Sequence, residues 1–501
     1  MAFLNSIASW FMKKRMHQID LFMKYPNEMQ DEWQYKLVKS AKDTEFGKKH
    51  HFANINSYYD FKEQIPLQDY ETLKPFIERV RKGEQNILWN TEIKWFAKSS
   101  GTTDKSKFLP VSKESLDGCH YKGGRDMVTL HCINNPTTQL FTGKNLALGG
   151  SHQTQYTGSY ESYHGDVSAI VIQNLPVWAE YFRAPELEIA LLENWDEKLD
   201  KMARATMHEN VTSMAGVPSW MLVLTRRILQ YKNTTSIKEI WPNMEVYFHG
   251  GVSFTPYKEQ FKSLFSDNGV KYMQIYNASE GFIGLQDQPD SEEMLLMLDY
   301  GIFYEFIPQQ EINKVNPKVY HISEVNKDTV YEVVISTNAG LWRYRLGDTI
   351  QFTSLSPYRF IITGRTKHFI NVFGEELMIH NAEQALKIAC EKTHAQITEY
   401  TVAPLFKEEN NGKHQWLIEF EKEPNNLDFF ADVLDKTLKQ INSDYEAKRY
   451  NEYVIKFPEI KSLPIGIFYK WLSSKNKLGG QYKVPRLQNN RLIAEELLSL
   501  I

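Results

Sequence analysis

The sequence contains little cysteine, and its cysteines lie far apart. Three occur among 501 residues, Cys119, Cys132 and Cys390, and none belongs to a Cys-x-x-Cys pair. A disulfide-stapled secreted domain needs a denser, even set of cysteines, and a structural zinc site needs clustered Cys and His ligands. The sequence therefore predicts a reducing compartment, no disulfide framework and no zinc centre.

Long apolar runs are also missing. The apolar stretch near the start covers only residues 2–12, and basic residues follow it. A signal peptide places its charge first, and a membrane span needs about 20 apolar residues. Phe3, Ile7 and Phe11 recur at helical spacing, which predicts an amphipathic helix packed on the body of the protein. We therefore expect no membrane partner and a cytoplasmic location.

Charge of one sign is not concentrated anywhere in the chain. The formal net charge is −4, and no segment is rich in Lys and Arg. Nucleic-acid-binding surfaces need a basic face that displaces phosphate counterions. We therefore expect no nucleic-acid partner. The GxxxxGK loop followed by Ser or Thr, which marks one large class of nucleotide-binding proteins, does not occur either.

The length and the patterning predict more than one domain. A chain of 501 residues exceeds what one ordinary core supports. Residues 1–90 read as helical, with Pro26, Pro66 and Pro75 breaking the run. In the middle, the strand-like MEVYFHGG and VKYMQIYNASEG flank the helical TPYKEQFKSLF. Strand, helix and strand at this spacing favour a parallel sheet, in which ligands bind at the carboxyl ends of the strands.

The remainder of the chain is first rich in strands and then mixed. VYEVVIST, LWRYRLG, TIQFTSL and YRFIITG read as short strands separated by turns. HNAEQALKIACEK reads as a helix with Asn381 as its N-cap. HQWLIEF follows as a strand, and DFFADVLDKTLKQINSDYEAKRY reads as one amphipathic helix.

The predicted fold class is α/β. It has a large N-terminal domain of parallel-sheet α/β layers with a β-rich subdomain, and a small C-terminal α+β domain. We place the large domain at residues 1–364, a hinge at 365–368 and the small, mobile domain at 369–501.

The first candidate site is the hydroxyl-rich loop SSGTTDKSK, residues 99–107, which follows a strand-like segment. Backbone N–H groups and hydroxyls in such a loop can hold phosphate oxygens, and a lysine can neutralise their charge. Taken alone, a cluster of Ser, Thr and Gly also fits an ordinary turn.

Two further candidates are carboxylates in polar loops. Glu280, in the segment YNASEG at the end of a predicted strand, is able to ligate a magnesium ion shared with substrate phosphates. Asp348, in YRLGD, follows a predicted tight glycine turn and is able to accept both hydroxyls of a ribose. A solvated loop carboxylate and a β-turn aspartate are the ordinary alternatives.

Two basic segments complete the set. Arg365, in GRTK at the predicted domain boundary, carries forked donors suited to ribose or phosphate, and Lys367 could be the swivel. Lys483 lies in the glycine-flanked loop GGQYKVPR, which can present it to a distant site. Each segment alone also fits an exposed basic loop.

The order and joint occurrence of these five segments are more specific than any one of them. They follow the sequence order of the adenylate-forming superfamily, which includes acyl-CoA synthetases, non-ribosomal adenylation domains and luciferases. Within it the chain resembles the auxin-responsive acyl acid–amido synthetases, plant hormone-conjugating enzymes with bacterial relatives. The resemblance covers roughly residues 95–490 and is carried by SSGTT, YNASE, YRLGD, LKQINSDYEAKR and QYKVPR.

The resemblance implies an ATP- and Mg²⁺-dependent ligase that adenylates a carboxylic acid and transfers the acyl group to an amine, with an amino acid as the expected acceptor. It assigns Lys483 and Glu280 to catalysis, Glu280 also to the metal, and Lys367 to the hinge. The implied nucleotide-binding residues are Ser99, Ser100, Gly101, Thr102, Thr103, Lys107, Tyr276, Ala278, Ser279, Asp348 and Arg365. The implied acyl-pocket residues are His249, Gly250, Gly251 and Val252.

The chain departs from the superfamily pattern inside the phosphate loop. Asp104 stands where a glycine is usual and Ser106 where a proline is usual, which leaves the path of the loop and the role of Lys105 open. Two other functions also stay open at this stage, an acyl-CoA ligase and a nucleotide-binding protein without turnover. The general base for amide formation is not assigned, and His249 also fits a structural histidine.

Overall fold

The computed structural model describes most of the chain. The described residues are 2–99, 107–157, 160–251, 254, 258–265, 269–312, 314–365, 369–375, 377–406, 412–475 and 484–501.

The first ninety residues are helical, as predicted. The helices are α1 (Ala2–Lys24), α2 (Pro26–Ala41), α3 (Glu45–Lys49), α4 (Tyr58–Gln64) and α5 (Tyr70–Arg81). Among the described residues, no helix combines the length and the apolar character that a membrane crossing requires.

Pro75 lies inside α5, so the prediction that it breaks a helix is wrong. A proline in this position removes one backbone donor. The helix is retained because Asp69 and Thr72 form a reciprocal capping box at its start. Its apolar face, which includes Leu73 and Ile77, is fully buried and supplies the remaining stabilisation.

A small sheet carries the hydroxyl-rich loop. Its strands are β1 (Trp95–Ser99), β2 (Lys107–Val111), β4 (His152–Thr157) and β5 (Tyr160–Gly165), in the order β2-β1-β5-β4. Strands β1 and β2 are antiparallel, and Ser99 pairs with Lys107 next to the residues that connect the two strands. Residues 100–106 therefore connect two paired strands. We call residues 99–107 the phosphate hairpin.

The large sheet contains the predicted parallel strands. Its parallel part has the order β6-β3-β7-β8-β9. These strands are β3 (Lys144–Leu148), β6 (Arg183–Ala184), β7 (Val211–Gly216), β8 (Val246–Gly250) and β9 (Lys271–Ala278). The intervening helices are α6 (Lys113–Ser115), α7 (Tyr121–Asn134), α8 (Val167–Gln173), α9 (Val177–Phe182), α10 (Leu187–Ala190), α11 (Trp195–Thr206), α12 (Pro218–Lys232), α13 (Ile237–Ile240) and α14 (Lys258–Leu264).

The same sheet continues as antiparallel strands, so the β-rich segment is not a separate layer. These strands are β10 (Gly281–Leu285), β11 (Met294–Leu296), β12 (Ile302–Pro308), β13 (Tyr320–His321), β14 (Val330–Thr337), β15 (Tyr344–Leu355) and β16 (Tyr358–Arg365). Their order from the outer edge inward is β13-β12-β14-β15-β16-β11-β10, and β10 pairs with β9.

The C-terminal segment is α+β, as predicted. Its elements are β17 (Phe369–Ile370), β18 (Leu377–Met378), α15 (Ile379–Thr393), β19 (Gln396–Phe406), β20 (Gly412–Lys422), α16 (Leu427–Ile441), α17 (Ser443–Arg449), β21 (Glu459–Leu463), α18 (Ile467–Ser474) and α19 (Leu492–Leu498). A three-stranded sheet in the order β19-β20-β21 forms its centre.

Two local predictions for this segment are wrong. Asn381 lies within α15 instead of capping it, and its buried side chain accepts a hydrogen bond from Asn442 at 3.2 Å. The predicted single amphipathic helix is two helices, because Asn442 leaves helical geometry and caps α17 through the backbone N–H of Tyr445. An asparagine inside an apolar repeat is a helix start as readily as a helix interior.

Alternate residues of β8 divide the apolar core between the two faces of the sheet. Val246 and Phe248 join a cluster that includes the N-terminal helices. Tyr247 joins a second cluster, which combines α12 and α14 with the C-terminal segment. The C-terminal segment also contacts α12 directly, since Gln230 donates to the hydroxyl of Tyr453 at 3.2 Å. The boundary at residues 365–368 stays a prediction, because 366–368 lie outside the described residues.

Candidate active site

The phosphate hairpin is closed by backbone pairing between Ser99 and Lys107. The ammonium of Lys107 lies 5.8 Å from the centre of the Tyr70 ring, and the Tyr70 hydroxyl accepts a hydrogen bond from the N–H of Phe108 at 3.0 Å. Helix α5 therefore supports the second strand of the hairpin. The predicted phosphate ligands Ser100, Gly101, Thr102 and Thr103, and the variant positions Asp104, Lys105 and Ser106, lie outside the described residues.

The parallel strands end together at one edge of the large sheet. In the shared register, Leu148 of β3 pairs with Gly216 of β7, and Gly216 pairs with His249 of β8. Strand β9 continues three residues beyond Ile275, the partner of Gly250. We call the edge formed by the carboxyl ends of β3, β7, β8 and β9 the crevice. Ligands of open α/β sheets bind at such an edge.

The predicted acyl-pocket segment begins inside this edge. His249 is buried and stacks on Phe254, with ring centres 4.0 Å apart. Gly251 adopts a left-handed backbone with φ of 82°, which favours glycine. Burial lowers the pKa of His249 to about 3. A base with that pKa holds a proton too weakly to serve at neutral pH, which argues against His249 as the general base. Val252 lies outside the described residues.

The segment YNASEG is a tight hairpin. Ala278 ends β9 and pairs with Gly281 at the start of β10, so Ser279 and Glu280 form a two-residue turn. Both are half-buried. The turn lies beyond the last paired residues of β8 and β9, so its backbone stands at the crevice edge of the sheet.

A π-helical turn, Leu116–His120, contacts both strands of this hairpin. Nδ1 of His120 donates a hydrogen bond to Oδ1 of Asn277 at 3.0 Å. The thiol of Cys119 accepts from the N–H of Phe282 at 3.0 Å. Sequence reasoning missed both contacts, because neither Cys119 nor His120 stands in a recognisable motif. Burial raises the pKa of the Cys119 thiol to about 12, so it is a packing group and not a nucleophile.

Asp348 is carried by a bulge and not by the predicted tight turn. Strand β15 runs through the segment, and three residues, 346–348, lie opposite the single Val333 of β14. Gly347 takes a φ of 80° there, which favours glycine. Such bulges redirect a side chain without ending the strand. Asp348 is buried as a result, and it pairs across the backbone with Arg365 of β16.

The bulge brings Asp348 to the nucleotide segment of β9. The hydroxyl of Tyr276 donates a hydrogen bond to Oδ2 of Asp348. Strands β9 and β15 are not neighbours, since β10, β11 and β16 lie between them in the sheet. Gly284 of β10 lets the Phe360 ring of β16 lie close to the backbone of β10, because a Cβ on Gly284 would be 2.6 Å from that ring.

The described part of the chain therefore brings three predicted residues together and leaves others unlocated. Tyr276, Asp348 and the backbone of Arg365 meet at one place. The hairpin with Glu280 extends from the same strand as Tyr276. The predicted hinge residue Lys367 and the predicted catalytic Lys483 lie outside the described residues.

Glu280 is the predicted magnesium ligand, and that role stays a prediction. Among the residues that the structure describes, no group of three His, Cys, Asp or Glu side chains forms a metal cage. Mg²⁺ commonly uses one or two protein carboxylates and completes its shell with waters and substrate phosphates. A single predicted carboxylate ligand is compatible with that kind of site.

The fold defines the class of protein, because it is shared with solved adenylate-forming ligases. A solved acyl acid amido synthetase, GH3.15, matches the structure with a TM-score of 0.59 at 17% identity, covering 94% of this chain and 93% of that one. A solved 2-hydroxyisobutyryl-CoA ligase matches with the same TM-score at 13% identity, covering 95% and 93%.

Family models then place the chain within that class. The GH3 family N-terminal domain matches residues 15–270, which is more than half of the chain. The GH3 family central domain matches residues 295–365, and the GH3 family C-terminal domain matches 380–492. The chain belongs to the GH3 family, which confirms the resemblance seen in the motifs.

Its curated relatives are distant but matched over long stretches. The indole-3-acetic acid-amido synthetase GH3.3 of Arabidopsis thaliana is 22% identical, covering 93% of this chain and 90% of the relative. The jasmonoyl–L-amino acid synthetase JAR4 of Nicotiana attenuata is also 22% identical, covering 67% of this chain and 68% of the relative.

Proposed function

We propose that this chain is an acyl acid–amido synthetase that joins a carboxylic acid to an amino acid at the expense of ATP. The observation that carries the proposal is the hydrogen bond from Tyr276 to Asp348, together with the pairing of Asp348 and Arg365. These contacts support a nucleotide site built from strands that are distant in sequence, because they bring three of the residues proposed for it together. Membership of the GH3 family supports the same reading.

The first step activates the acid. A carboxylate is a poor electrophile because it is anionic and has no good leaving group. One of its oxygens attacks the α-phosphorus of ATP, the bond to the bridging oxygen breaks, and pyrophosphate leaves. The product is an acyl-adenylate, in which AMP is now the leaving group.

The second step forms the amide. The neutral amine of the amino acid attacks the acyl carbon, the C–O bond to the phosphate breaks, and AMP departs. The amine loses one proton in the process. His249 is an unsuitable acceptor for that proton, because burial lowers its pKa to about 3.

The roles proposed for individual residues follow the motifs. Asp348 accepts the ribose hydroxyls, and Arg365 supports ribose or phosphate. Lys483 offsets the charge that builds on the phosphoryl oxygens during adenylation. Glu280 holds Mg²⁺, which when bound screens the phosphate charge. Tyr276 and Ala278 lie beside the adenine and the reacting carboxylate, and Ser279 also belongs to the nucleotide site. The phosphates are held by Ser99, Ser100, Gly101, Thr102, Thr103 and Lys107.

An aromatic cluster at the end of β8 supports an apolar, aromatic-accepting acyl site bounded by residues 249–252. Phe254 stacks on His249 and also contacts Tyr247, with ring centres 6.0 Å apart. Phe261 packs against both Phe254 and Tyr247. Tyr247 and Phe261 are fully buried, so the cluster forms an apolar layer behind the predicted acyl segment, and apolar surroundings favour apolar ligands. We propose an aromatic or medium-chain carboxylic acid as the first substrate.

We also propose that the small domain, residues 369–501, turns about the hinge at 365–368. The two steps need different surfaces over one site, so Lys483 enters for adenylation and leaves for acyl transfer. The gap between the central-domain match, which ends at 365, and the C-terminal match, which begins at 380, supports a boundary in this segment.

Pyrophosphate exchange into ATP tests the first step. The chain is offered a panel of aromatic and aliphatic acids with Mg²⁺, and acid-dependent exchange is expected for at least one. Glu280→Gln should raise the Mg²⁺ concentration needed for half-maximal exchange, and the exposed Glu292→Gln should not. ATP binding without exchange for any acid would instead identify a nucleotide-binding protein without turnover.

The acceptor is tested by product. The active acid is offered a panel of amino acids and coenzyme A together, and mass spectrometry reads the products. An amide of one amino acid is expected. A coenzyme A thioester in place of the amide would reassign the chain as an acyl-CoA ligase.

A further inference from the structure

A buried lysine holds the turn at the end of β3. Lys198 of α11 is 1% exposed, and its ammonium donates to the carbonyl oxygens of Gly149 and Gly150, each at 2.7 Å. Burial lowers the pKa of Lys198 to about 8, although the nearby Asp166 opposes that shift. Burying an ammonium is costly, so its placement under one short turn calls for a reason beyond packing.

The other polar groups of this turn are held as firmly. The N–H of Gly150 donates to Oγ of Ser168 at 3.0 Å, and the N–H of Ser151 donates to Oδ2 of Asp166 at 3.1 Å. A Cβ on Gly150 would lie 1.7 Å from that same carboxylate oxygen, so only glycine fits. Side chains from two helices, Lys198 of α11 and Asp166 and Ser168 at the start of α8, thus hold the Gly149–Ser151 turn.

The turn lies between the phosphate hairpin and the crevice. Leu148, just before it, pairs with Gly216, which in turn pairs with His249 of the predicted acyl pocket. On its other side, Asp166 follows Gly165, which pairs with Ala97 of β1 two residues before Ser99. The turn therefore joins the strand that leads into the phosphate hairpin to the edge that holds the acyl segment.

We propose that Lys198 is a positioning residue whose ammonium fixes the Gly149–Ser151 turn as a wall of the acyl site and so sets the affinity for the carboxylic acid. This inference rests on the proposed ligase function. It assigns to Lys198 a larger effect on the acid than on ATP. The turn itself lies at the strand ends that lead to His249, whereas it reaches the phosphate hairpin only through Asp166 and β1. The proposed ribose and adenine contacts come from β9 and β15.

The test compares Lys198→Met with Lys201→Met by pyrophosphate exchange. Met keeps the length and apolar stem of Lys198 but removes the donors for both carbonyls. Lys201 is the matched control, since it lies on the same helix and its exposed ammonium pairs with Glu197. We expect Lys198→Met to raise the KM for the acid about tenfold or more, because small displacements of a site wall have effects of that size. The KM for ATP should stay within about twofold, and Lys198→Arg should recover part of the loss.

A purely structural lysine predicts a different pattern. It would lower the thermal midpoint and the amount of active protein while leaving both KM values unchanged, and that result would overturn the inference but not the ligase function. If Lys198→Met does not fold, Ser168→Ala decides, because it removes the acceptor of the Gly150 N–H from the other side of the turn. An unchanged acid KM in Ser168→Ala would then overturn the inference. Wild-type protein without exchange for any acid would overturn the ligase function, and this inference with it.

Discussion

The hydroxyl of Tyr276 donates a hydrogen bond to Oδ2 of Asp348, and this contact joins the parallel part of the large sheet to its antiparallel part. Tyr276 lies near the end of the last parallel strand, and Asp348 lies on a bulge of β15. The bond orients a buried carboxylate beside the strand that leads to Glu280. In the proposed enzyme, it fixes the ribose acceptor relative to the metal ligand.

Tyr276→Phe tests that role with a minimal change. The variant loses one hydrogen bond to a carboxylate, and such a bond contributes on the order of 1–2 kcal/mol, so we expect the KM for ATP to rise about five- to thirtyfold. The acid KM should change little. Tyr358→Phe is the control, because its hydroxyl also donates one buried hydrogen bond, at 3.0 Å to the carbonyl of Ile322. Equal ATP KM values in the two variants would contradict the proposal.

Lys483→Ala tests the proposed late lysine. In the proposed mechanism its ammonium stabilises charge that develops only during adenylation, so we expect pyrophosphate exchange to fall about 10²- to 10³-fold. The thermal midpoint should not change. Acyl transfer from a chemically prepared acyl-adenylate to the amino acid should be largely retained. Lys475→Ala, which removes a half-exposed lysine paired with Glu496, is the control. Undiminished exchange in Lys483→Ala would remove this residue from the mechanism.

The sequence predicted the architecture better than the local geometry of the site. The parallel strands were predictable because glycine or polar loops follow apolar runs at MEVYFHGG and VKYMQIYNASEG. The meeting of Tyr276 and Asp348 was not, since the contact depends on a bulge whose position no propensity specifies. A glycine before an aspartate is typical of a turn, and only the neighbouring strands turn it into a bulge.

The turn held by Lys198 was missed for a different reason. The run LALGGS has the same strand-then-glycine pattern as YFHGG, which is a usable signal. The lysine that holds it lies about fifty residues further on, in an ordinary amphipathic helix. Helical spacing puts Lys198 beside the apolar face of the helix and Lys201 away from it. That spacing does not predict a buried ammonium, because a lysine at the edge of an apolar face usually extends its charged end to solvent.

Arg15→Met tests the attachment of the N-terminal helix to the sheet. The guanidinium of Arg15 donates to both carboxylate oxygens of Asp126, at 2.8 and 2.6 Å, and of Asp299, at 2.5 and 2.9 Å. Removing it leaves two buried carboxylates short of their main partner. We expect the free energy of unfolding to fall by about 3–5 kcal/mol. Arg204→Met removes an exposed bridge to Asp200 and should cost at most about 0.5 kcal/mol. Urea unfolding measures both losses, and an Arg15→Met loss as small as that of Arg204→Met would show that the buried network is dispensable.

Two buried histidines predict how stability depends on pH. Burial lowers the pKa of His120 to about 4 and that of His249 to about 3, from an ordinary value of 6.5. Below pH 6.5 the unfolded chain therefore binds protons that the folded chain refuses. The contribution to stability is fully present above that pH and is lost as pH falls towards the folded-state values.

Each histidine should add a slope of about 1.4 kcal/mol per pH unit to the free energy of unfolding between about pH 6 and pH 4. His249→Phe keeps the stacking on Phe254 but cannot titrate, so the slope should fall by that amount in urea titrations at several pH values. His120→Gln should act likewise while still donating to Asn277. The exposed His17→Gln is the control and should follow the wild type. If His249→Phe instead kept the full slope, the loss of stability in acid would have to come from other groups, because a ring that cannot be protonated has no part in it.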